Sequence, residues 1–527
     1  MAEERVTVCI LTAGKGVRMG AYSKIINKAL LPVRQKAVIS YIIEKFPENS
    51  EYVVALGYLG EQVRSYLELA HGDRRIRFVE VDNWDKPGSG PGYSMLCCKP
   101  FLHRPFYFVS CDTLWNGDVQ LREGGNWLGV SETSREDSLR YCNLKIDGDG
   151  GITGILDKET AEWPPYKAFV GLMRVQDHDI FWEGLGAKDL IKGELQVSNG
   201  LRALIKTGRT KALNIDWTDI GNEDDYKDLV KKHENFDFSK TNEFLYLVNN
   251  KVIKFFGDGA IAEKRVAKSR LKPGVFPTIE ALKGQFYSYG LVAGGTLYDY
   301  NDGTIFKKLL DWLKTDLWTP AGISAETVHQ TCRRFYYDKT RDRLELFYKR
   351  CAIGDGATVV NGRKIAPTGE LLERVPWEEL FSGVPVFFHG DLQFDNILYS
   401  REKGRFTLLD WRQDFGGNVE WGDLYYDLAK LYGGILLNYD FIKRNLLYYH
   451  EGEGGVTIDF AQRFLAADYI GILEDFVVRN NWEIKKVRML VPLIYLNMSP
   501  LHHEPFNRFL YSLGRLMLSR ELGYEDR

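Results

Sequence analysis

The chain has 527 residues, with 69 Lys and Arg against 72 Asp and Glu, which gives a formal net charge of −3. At about 100–200 residues per domain, this length predicts two to four domains. The hydrophobic share of 44% and the charged share of 27% are ordinary for a globular protein. This composition excludes a disordered tail, a coiled coil and a protein that binds nucleic acid through a basic surface, so we expect no nucleic-acid partner.

The cysteines and the apolar runs bear on the compartment. Seven cysteines are scattered along the chain, and the adjacent pair Cys97-Cys98 has no spacing typical of a zinc site. An odd count without a disulfide framework indicates a reducing compartment. Residues 6–12 are too short for the apolar core of a signal peptide, and no apolar run approaches the roughly 18–20 residues that span a bilayer. We expect a cytoplasmic protein without a membrane span; the oligomeric state stays open.

The first half alternates short apolar runs with segments of helical periodicity. Residues 6–11 are almost uninterruptedly apolar, as in a strand buried on both faces. Further strands are predicted at residues 52–56, 77–81 and 106–110, and helices at 37–46 and 60–69. This order predicts an α/β domain over residues 1–234 with a doubly wound, mixed but mainly parallel, Rossmann-like sheet. Ligands of such sheets bind at the carboxyl ends of the strands.

The second half has a different pattern. A polar run covers residues 225–238, and we place the domain boundary near residues 235–242. Strand-like pieces follow at residues 244–248, 252–256, 278–282 and 286–291, with a helical stretch at 260–268, and from about residue 304 the pattern is mostly helical. This predicts a bilobal α+β domain over residues 243–527, with a small lobe over about 243–300 and a helical lobe over about 301–527.

A glycine-rich turn follows the first predicted strand. It contains Ala13, Gly14, Lys15 and Gly16, and Arg18 comes shortly after it. Glycines let backbone N–H groups approach phosphate oxygens, and the two cations add charged donors. The spacing is neither that of the Walker loop nor that of the dinucleotide fingerprint. We expect these residues to bind the polyphosphate of a nucleotide; taken alone, the turn is equally consistent with a structural role.

The wider pattern resembles the signature of the nucleotidylyltransferase family that makes sugar nucleotides and CDP-alcohols. That signature runs L-x-A-G-x-G-x-R-M and then Pro-Lys-x-L-x-P-V, and this chain has Asn27 where the family has proline before Lys28. The resemblance continues at Asp112, after the strand at 106–110, and at Asp219 in Trp-Thr-Asp-Ile-Gly. It implies that a phosphate attacks the α-phosphorus of a nucleoside triphosphate. Arg18 and Lys28 would be the catalytic residues, and Asp112 and Asp219 the ligands of Mg²⁺.

Two further parts of this region are predicted to bind substrate. The resemblance implies that Gly88, Gly90 and Gly92 lie beside the base of the nucleotide, because small residues leave backbone groups exposed. Lys158 is expected to contact the acceptor phosphate, with Lys167 as its rival and a solvated surface lysine as the alternative. Both CTP and UTP suit the base loop.

A second motif begins at residue 388 and has the spacing of the catalytic and metal loops of kinase-like folds. Asp391 is followed five residues later by Asn396, and Asp410 comes after a short hairpin. His-Gly-Asp in place of His-Arg-Asp, and Asp-Trp-Arg in place of Asp-Phe-Gly, resemble the aminoglycoside phosphotransferase and choline kinase family. The resemblance implies a kinase-like fold in which catalytic Asp391 accepts a hydroxyl proton and Asn396 and Asp410 bind Mg²⁺ with ATP. It also implies that Asp427 supports the catalytic loop.

The nucleotide-binding residues of the small lobe are less explicit. We choose Lys254, over Lys251, as the lysine that contacts the ATP phosphates, and Glu263 as its partner on the following helix. The alternative for both is a solvated charge. A glycine-rich loop covering the phosphates is not evident near residues 242–248.

Together the two motifs predict a bifunctional enzyme. The C-terminal half phosphorylates a small alcohol, and the N-terminal half couples that phosphate to a nucleotide, for a precursor of surface glycan or lipid. Both a sugar and a choline-type acceptor fit. Six C-terminal aromatic residues are compatible with a cage for a quaternary ammonium or with core packing: Trp421, Tyr425, Tyr426, Tyr432, Trp482 and Tyr495. Three polar side chains suit a sugar: Asp414, Asn418 and Glu420. A metabolite-binding regulatory protein with a non-catalytic kinase-like half is the alternative.

Overall fold

A computed structural model describes residues 5–117, 124–159, 167–187, 189–232 and 242–524. These residues form two compact units. The first contains the described residues up to 232, together with 242–259 and 281–288, and the second contains 260–280 and 289–524. The boundary predicted near residues 235–242 falls almost wholly outside the described residues.

The first unit is built on a nine-stranded sheet. Its strands are β1 Thr7–Leu11, β2 Glu51–Leu56, β3 Arg75–Glu80, β4 Phe106–Ser110, β5 Trp127–Glu132, β6 Cys142–Ile146, β7 Ile152–Asp157, β8 Lys167–Val175 and β9 Lys211–Asn214. The order is β7-β6-β8-β4-β1-β2-β3, with β5 paired to β8 and β9. The pairs β4-β1-β2-β3 are parallel, whereas β8 runs antiparallel to β4, β5 and β6. The predicted mixed α/β sheet is confirmed.

Helices cover both faces of this sheet. They span Val38–Glu44, Gly60–Ala70, Pro91–Cys98, His178–Gly186, Ser198–Lys206 and Glu223–Lys231. Strand β1 shows why both faces are apolar: Val8 and Ile10 enter one core cluster and Cys9 enters the other. Because side chains alternate along a strand, an uninterrupted apolar run is what a central strand needs.

The first unit also holds a hairpin that the sequence pattern assigns to the second domain. Its strands are Glu243–Val248 and Lys251–Phe256, which belong to a four-stranded sheet with Ile279–Lys283 and Phe286–Gly290. Tyr246 is fully buried, its hydroxyl donates to the carbonyl of Leu30 at 2.8 Å, and its ring lies 4.9 Å from that of Tyr66. The hairpin therefore extends the core of the first unit.

The second unit is mainly helical. The helix Gly259–Leu271 belongs to this unit from residue 260 onward. The other helices span Gly303–Trp312, Ala325–Cys332, Lys339–Cys351, Thr368–Glu373, Trp377–Phe381, Leu424–Leu436, Tyr439–Lys443, Ala466–Arg479, Ile484–Met498 and Phe506–Glu521. Strands Ile397–Ser400 and Arg405–Leu408 form the hairpin between the two kinase-like loops, and Gly295–Thr296 adds to its edge. None of the helices in the described ranges combines the length and hydrophobicity needed to cross a bilayer.

A four-stranded sheet of the second unit is not anticipated by the sequence pattern. It contains Thr358–Val360, Arg363–Ile365, Leu447–Gly452 and Gly455–Phe460. Most of the side chains of Leu447–Gly452 are exposed, so the strand lacks the alternation of apolar and polar residues that marks a half-buried strand.

Replacing Tyr246 by phenylalanine tests the place of the hairpin. Tyr246→Phe leaves the Leu30 carbonyl without its donor in a buried site, so we expect a loss of about 1–3 kcal/mol in the free energy of unfolding. The exposed Tyr448→Phe is the control, with an expected change within about 0.5 kcal/mol. Equal unfolding curves for the two variants, measured in urea, would contradict the placement.

Candidate functional site

The glycine-rich turn lies at the carboxyl edge of the parallel strands. The hydroxyl of Thr12 donates to the carbonyl of Ala55 at 2.7 Å, and the N–H of Tyr58 donates to the carbonyl of Ala13 at 2.9 Å, which fixes the turn against the end of β2. A Cβ built on Gly14 meets no atom within 4 Å, and Gly16 has a φ of +62°. The turn is thus open on one side, as a phosphate-binding loop must be.

Asn27, the departure from the family pattern, clamps this turn. Its amide nitrogen donates to the carbonyls of Thr12 at 2.9 Å and Tyr58 at 2.8 Å, and its Oδ1 accepts from the N–H of Ala29 at 3.0 Å. Its own N–H donates to Oε1 of Gln62 at 3.0 Å, a bond that proline could not make. Asn27 therefore positions Lys28 by hydrogen bonds.

Lys28 and Asp112 form the central ion pair of this region. The Lys28 ammonium bonds Oδ2 of Asp112, and the two side chains are only 17% and 16% exposed. Burial raises the pKa of Asp112, but the charge and hydrogen bond of Lys28 outweigh burial and hold that pKa at about 2. Burial lowers the pKa of Lys28, and the charge of Asp112 reverses this, so its pKa is raised overall. Both groups are ionised at neutral pH.

Asp219 faces the same point. A Cβ built on Gly221 would lie 2.9 Å from Oδ1 of Asp219 and 3.4 Å from Oδ2 of Asp112, so the two carboxylates converge there. Burial and then the charge of Asp112 raise the pKa of Asp219. This mutual repulsion is what a divalent cation between two carboxylates relieves, so the pair fits Mg²⁺.

Sequence reasoning missed the partners of Asp219. The hydroxyl of Tyr141 donates to Oδ2 of Asp219 at 2.8 Å, and Arg140 lies 3.2 Å from the same oxygen while pairing with Asp225 at 2.7 Å. No local motif marks these residues, because Tyr141 reaches Asp219 from 78 positions away in the chain.

The other predicted nucleotide contacts are open to solvent. Arg18 is exposed, and its charge lowers the pKa of Lys28, which places it near the ion pair. Lys15 is exposed, with its ammonium 5.8 Å from the centre of the Tyr58 ring.

The glycines of the predicted base loop differ in their surroundings. At Gly88, with a φ of +83°, a Cβ meets nothing within 4 Å. At Gly90 and Gly92 a Cβ would lie 2.7 and 2.8 Å from the carbonyl of Leu195. The backbone of Gly90 and Gly92 thus packs against a neighbouring strand, and only Gly88 is small without a packing reason.

The two candidate phosphate lysines each pair with a glutamate. Lys158 lies 3.2 Å from Glu194, and Lys167 lies 2.9 Å from Glu132. The backbone N–H of Lys158 donates to the carbonyl of Tyr141, whose hydroxyl bonds Asp219. Tyr141 therefore links Lys158 to Asp219 through two hydrogen bonds. A contact of Lys158 with the acceptor phosphate stays a prediction.

In the second unit, Asp391, Asn396 and Asp410 converge. The Asn396 amide donates to the carbonyl of Asp391 at 3.0 Å and to its Oδ2 at 3.3 Å. The N–H of Leu409 donates to the carbonyl of Asn396 at 2.7 Å, which ties the two loops together. The charge of Asp410 acts on the pKa of Asp391, as expected of neighbouring carboxylates.

Each of these two carboxylates has a cation that sequence reasoning did not assign. Lys430, 7% exposed, lies 2.6 Å from Oδ1 of Asp391, and Arg265, also 7% exposed, lies 2.5 Å from Oδ1 of Asp410. Burial raises the pKa of Asp391, but Lys430 outweighs burial, so that pKa is lowered. Asp391 is thus held as a carboxylate.

Asp427 supports the catalytic loop from behind, as the resemblance implies. It accepts the N–H groups of His389 at 2.8 Å and Gly390 at 2.6 Å, and the indole N–H of Trp318 at 3.0 Å. Burial lowers the pKa of His389 to about 4, so the ring is neutral. Its Nδ1 accepts the N–H of Asp391 at 3.0 Å, and Nε2 therefore donates to the carbonyl of Leu409 at 2.8 Å.

The structure explains why the motif reads His-Gly-Asp. Gly390 has a φ of +90°, and a Cβ there would lie 2.6 Å from Cβ of Arg412 and 2.8 Å from the ring of Phe388. A side chain at position 390 would therefore overlap the space that Arg412 of the second loop occupies.

Lys254 and Glu263 lie in different compact units. Lys254 is buried on the strand Lys251–Phe256 of the first unit, whereas Glu263 is exposed on the first helix of the second. That helix instead directs Arg265 to Asp410. The roles of Lys254 and Glu263 with ATP stay predictions.

The predicted aromatic residues do not form one cage. Tyr432 donates to Glu474 at 2.9 Å, and Tyr495, fully inside the core, donates to the carbonyl of Gly433 at 2.7 Å. Tyr426 packs on Phe335 with ring centres 5.0 Å apart. Core packing and local hydrogen bonds account for these contacts.

The residues predicted to bind a metal form pairs of oxygen ligands. Within the described ranges, no three His, Cys, Asp or Glu side chains are grouped so as to hold a metal ion. Mg²⁺ is commonly bound by one or two carboxylates with substrate phosphates and water, so Asp112 with Asp219, and Asn396 with Asp410, are donor sets of the right kind.

Comparison with protein families identifies both regions. Residues 8–120 match the MobA-like NTP transferase domain, and residues 271–464 match the phosphotransferase enzyme family. The chain joins a nucleotidyltransferase domain to a phosphotransferase domain. The second match begins after the hairpin Glu243–Phe256, in keeping with the packing of that hairpin in the first unit.

Individual relatives match less than half of the chain. The bifunctional protein GlmU of Methanococcus maripaludis is 23% identical over 219 residues, covering 40% of this chain and 50% of its own. The low-salt glycan biosynthesis nucleotidyltransferase Agl11 of Haloferax volcanii is 25% identical over 230 residues, covering 41% and 62%. This chain thus spans about half the length of the first of these relatives. A solved UDP-glucose pyrophosphorylase complexed with UDP-glucose is 18% identical, with a TM-score of 0.38 over 44% of this chain and 98% of its own.

Removing the charge of Lys28 is expected to destabilise the first unit. In Lys28→Met the Asp112 carboxylate is buried without a cation, which costs about 3–5 kcal/mol. The lowered pKa of Asp112 stabilises the wild type above pH 3.8, and this stabilisation is lost as the pH falls towards 2. The free energy of unfolding of the variant should therefore change less with pH in that range. Urea unfolding at pH 7 and pH 3 measures both effects. Exposed Lys24→Met is the control, and identical behaviour of the two variants would rule out the pair as a stabilising element.

The close approach at Gly390 predicts a selective loss of phosphotransfer. In Gly390→Ala the added Cβ pushes Arg412 and Phe388 away from residue 390 and displaces the neighbouring Asp391. Because small displacements of catalytic groups are costly, we expect the rate of ADP formation to fall by about tenfold or more. Gly404→Ala is the matched control, because Gly404 also has positive φ, +59°, but an open surrounding. A loss of similar size in both variants would point to backbone strain alone.

Proposed function

We propose that the protein is a bifunctional enzyme. Its C-terminal domain phosphorylates a small alcohol with ATP, and its N-terminal domain couples the resulting phosphate to a nucleotide from CTP or UTP and releases pyrophosphate. The observation that supports the proposal is that, in each domain, side chains predicted to be catalytic or to bind a metal lie close together. Asp112 and Asp219 meet around Gly221, and Asn396 donates to Asp391 beside Asp410.

The phosphotransfer step uses Asp391. The acceptor hydroxyl oxygen attacks the γ-phosphorus, ADP leaves with the electrons of the broken bond, and the hydroxyl proton passes to Asp391. Lys430 keeps Asp391 ionised and so able to accept a hydrogen bond from the hydroxyl. Bound Mg²⁺ neutralises phosphate charge, and Asn396 and Asp410 would hold it. Arg265 now contacts Asp410 and would share or release that carboxylate.

The nucleotidyl transfer step needs no general base. The attacking phosphate oxygen is already ionised, so the demands are alignment and neutralisation of charge. Asp112 is held ionised by Lys28, which suits a metal ligand. Arg18 and Lys15 are exposed, and we place the polyphosphate of the nucleotide beside them.

A precursor for surface glycan or lipid is the proposed product. The relative from Haloferax volcanii, named as a glycan biosynthesis nucleotidyltransferase, supports this direction. A regulatory protein with a non-catalytic kinase half is disfavoured, because Asp391, Asn396 and Asp410 are all present and Asn396 donates to Asp391.

Two substitutions separate the activities. Asp391→Asn removes the proton acceptor and should lower ADP formation by about 10²–10⁴-fold while leaving pyrophosphate release from a supplied phosphorylated substrate unchanged. Asp112→Asn should do the reverse. Coupled ADP and pyrophosphate assays on the full chain measure both, each variant serving as the other's control. Turnover of ATP by Asp391→Asn at the wild-type rate would reject the assignment.

A further inference from the structure

Four cations lie near one another in the second unit, and one of them pairs with Asp391. Lys339 and Arg343 lie four positions apart on one helix and so share a face. Arg412 follows the metal loop, and Lys430 contributes the ion pair with Asp391 at 2.6 Å. Lys339 and Arg412 both lie against the ring of Phe335, and the charges of all three other cations lower the pKa of Lys339, whereas that of Asp414 raises it.

An aromatic surface is shared by two of these cations. The Lys339 ammonium lies 4.0 Å, and the Arg412 guanidinium carbon 5.1 Å, from the centre of the Phe335 ring. Phe415 stacks on this ring at 4.1 Å and Tyr426 meets it edge-on at 5.0 Å. The cations are thus held in place by packing.

The four cations of the cluster outnumber the carboxylates that act on them most strongly, which are Asp391 at Lys430, Asp414 at Lys339 and Asp342 at Arg343. Lys339, Arg343 and Arg412 form no ion pair with a carboxylate of the described chain, and Arg412 donates instead to the backbone carbonyl of Asp414 at 3.1 Å. Burial first, and then the charges of Arg412, Arg343 and Lys430, lower the pKa of Lys339 far below its usual range, and the opposing charge of Asp414 only partly offsets them. Repulsion of this kind destabilises the free protein and is relieved when an anion binds.

We propose that Lys339, Arg343, Arg412 and Lys430 bind a phosphate or carboxylate group of the alcohol that the second domain phosphorylates. This rests on the proposed function and narrows its acceptor to an anionic hydroxy compound. A quaternary ammonium is disfavoured, because the Phe335 surface already faces two cations of the protein. The acceptor hydroxyl then lies at Asp391 and its anionic group at the cluster.

Matched acceptors test this class with the full chain. ADP formation is measured with glucose and glucose 6-phosphate, galactose and galacturonate, and choline. We expect kcat/KM to be about tenfold or more higher for the anionic member of a pair. Lys339→Met and Arg343→Met should lower that value about tenfold and leave KM for ATP unchanged, and exposed Lys349→Met on the same helix is the control. Preference for choline, or a raised KM for ATP, would overturn the proposal.

A binding measurement separates this proposal from the proposed function. Inorganic phosphate is titrated into the full chain by calorimetry, with and without a non-hydrolysable ATP analogue. We expect Lys339→Met to weaken one phosphate site about tenfold relative to Lys349→Met, with the analogue present or absent. This result needs no turnover and supports the anion site even if no acceptor reacts. Unchanged phosphate affinity in Lys339→Met, or displacement of that phosphate by the analogue, would overturn it.

The thermal stability of Lys339→Met shows whether misfolding explains a loss of phosphate binding. Because Lys339→Met removes a repelled charge, its thermal unfolding midpoint without phosphate is expected to equal or exceed that of the wild type. A lower midpoint would show that Lys339 is structural and would count against the anion site.

Discussion

A carboxylate taken out of water needs a partner that offsets its charge, and at one carboxylate in each catalytic region that partner is a lysine. Lys28 holds Asp112 in the first unit and Lys430 holds Asp391 in the second, in each case with the lysine largely buried. The lysines come from elements distant in sequence from their carboxylates, so each ion pair also ties two parts of its own domain together. Charge neutralisation and positioning are accomplished by one contact.

The sequence was sufficient for the features that local pattern determines. An apolar run without alternation predicted the central strand β1, and the fixed spacing of Asp391, Asn396 and Asp410 predicted a shared site, which the hydrogen bond of Asn396 to Asp391 supports. Loop chemistry of this kind is readable because neighbours in sequence are neighbours in space. The α/β class follows from the same local information.

What the sequence could not provide was contact over long separations. Arg265 meets Asp410 across 145 positions, and Tyr141 meets Asp219 across 78. No local pattern marks a single arginine on a helix as the partner of a distant carboxylate. Sequence reasoning therefore assigns a role to Glu263 on this helix and none to Arg265. Likewise, the exposed strand Leu447–Gly452 lacks the apolar alternation by which strands are recognised.

The packing of the hairpin Glu243–Phe256 bears on how the gene can be divided. Its strands follow the polar run, which is where a cut between two halves looks most natural, yet their buried side chains belong to the core of the first unit. An expression fragment ending before residue 243 would leave that apolar face uncovered, whereas a fragment starting there would carry strands stripped of their packing partners. Separate production of the two activities therefore calls for co-expression of overlapping pieces or for inactivating point changes in the intact polypeptide.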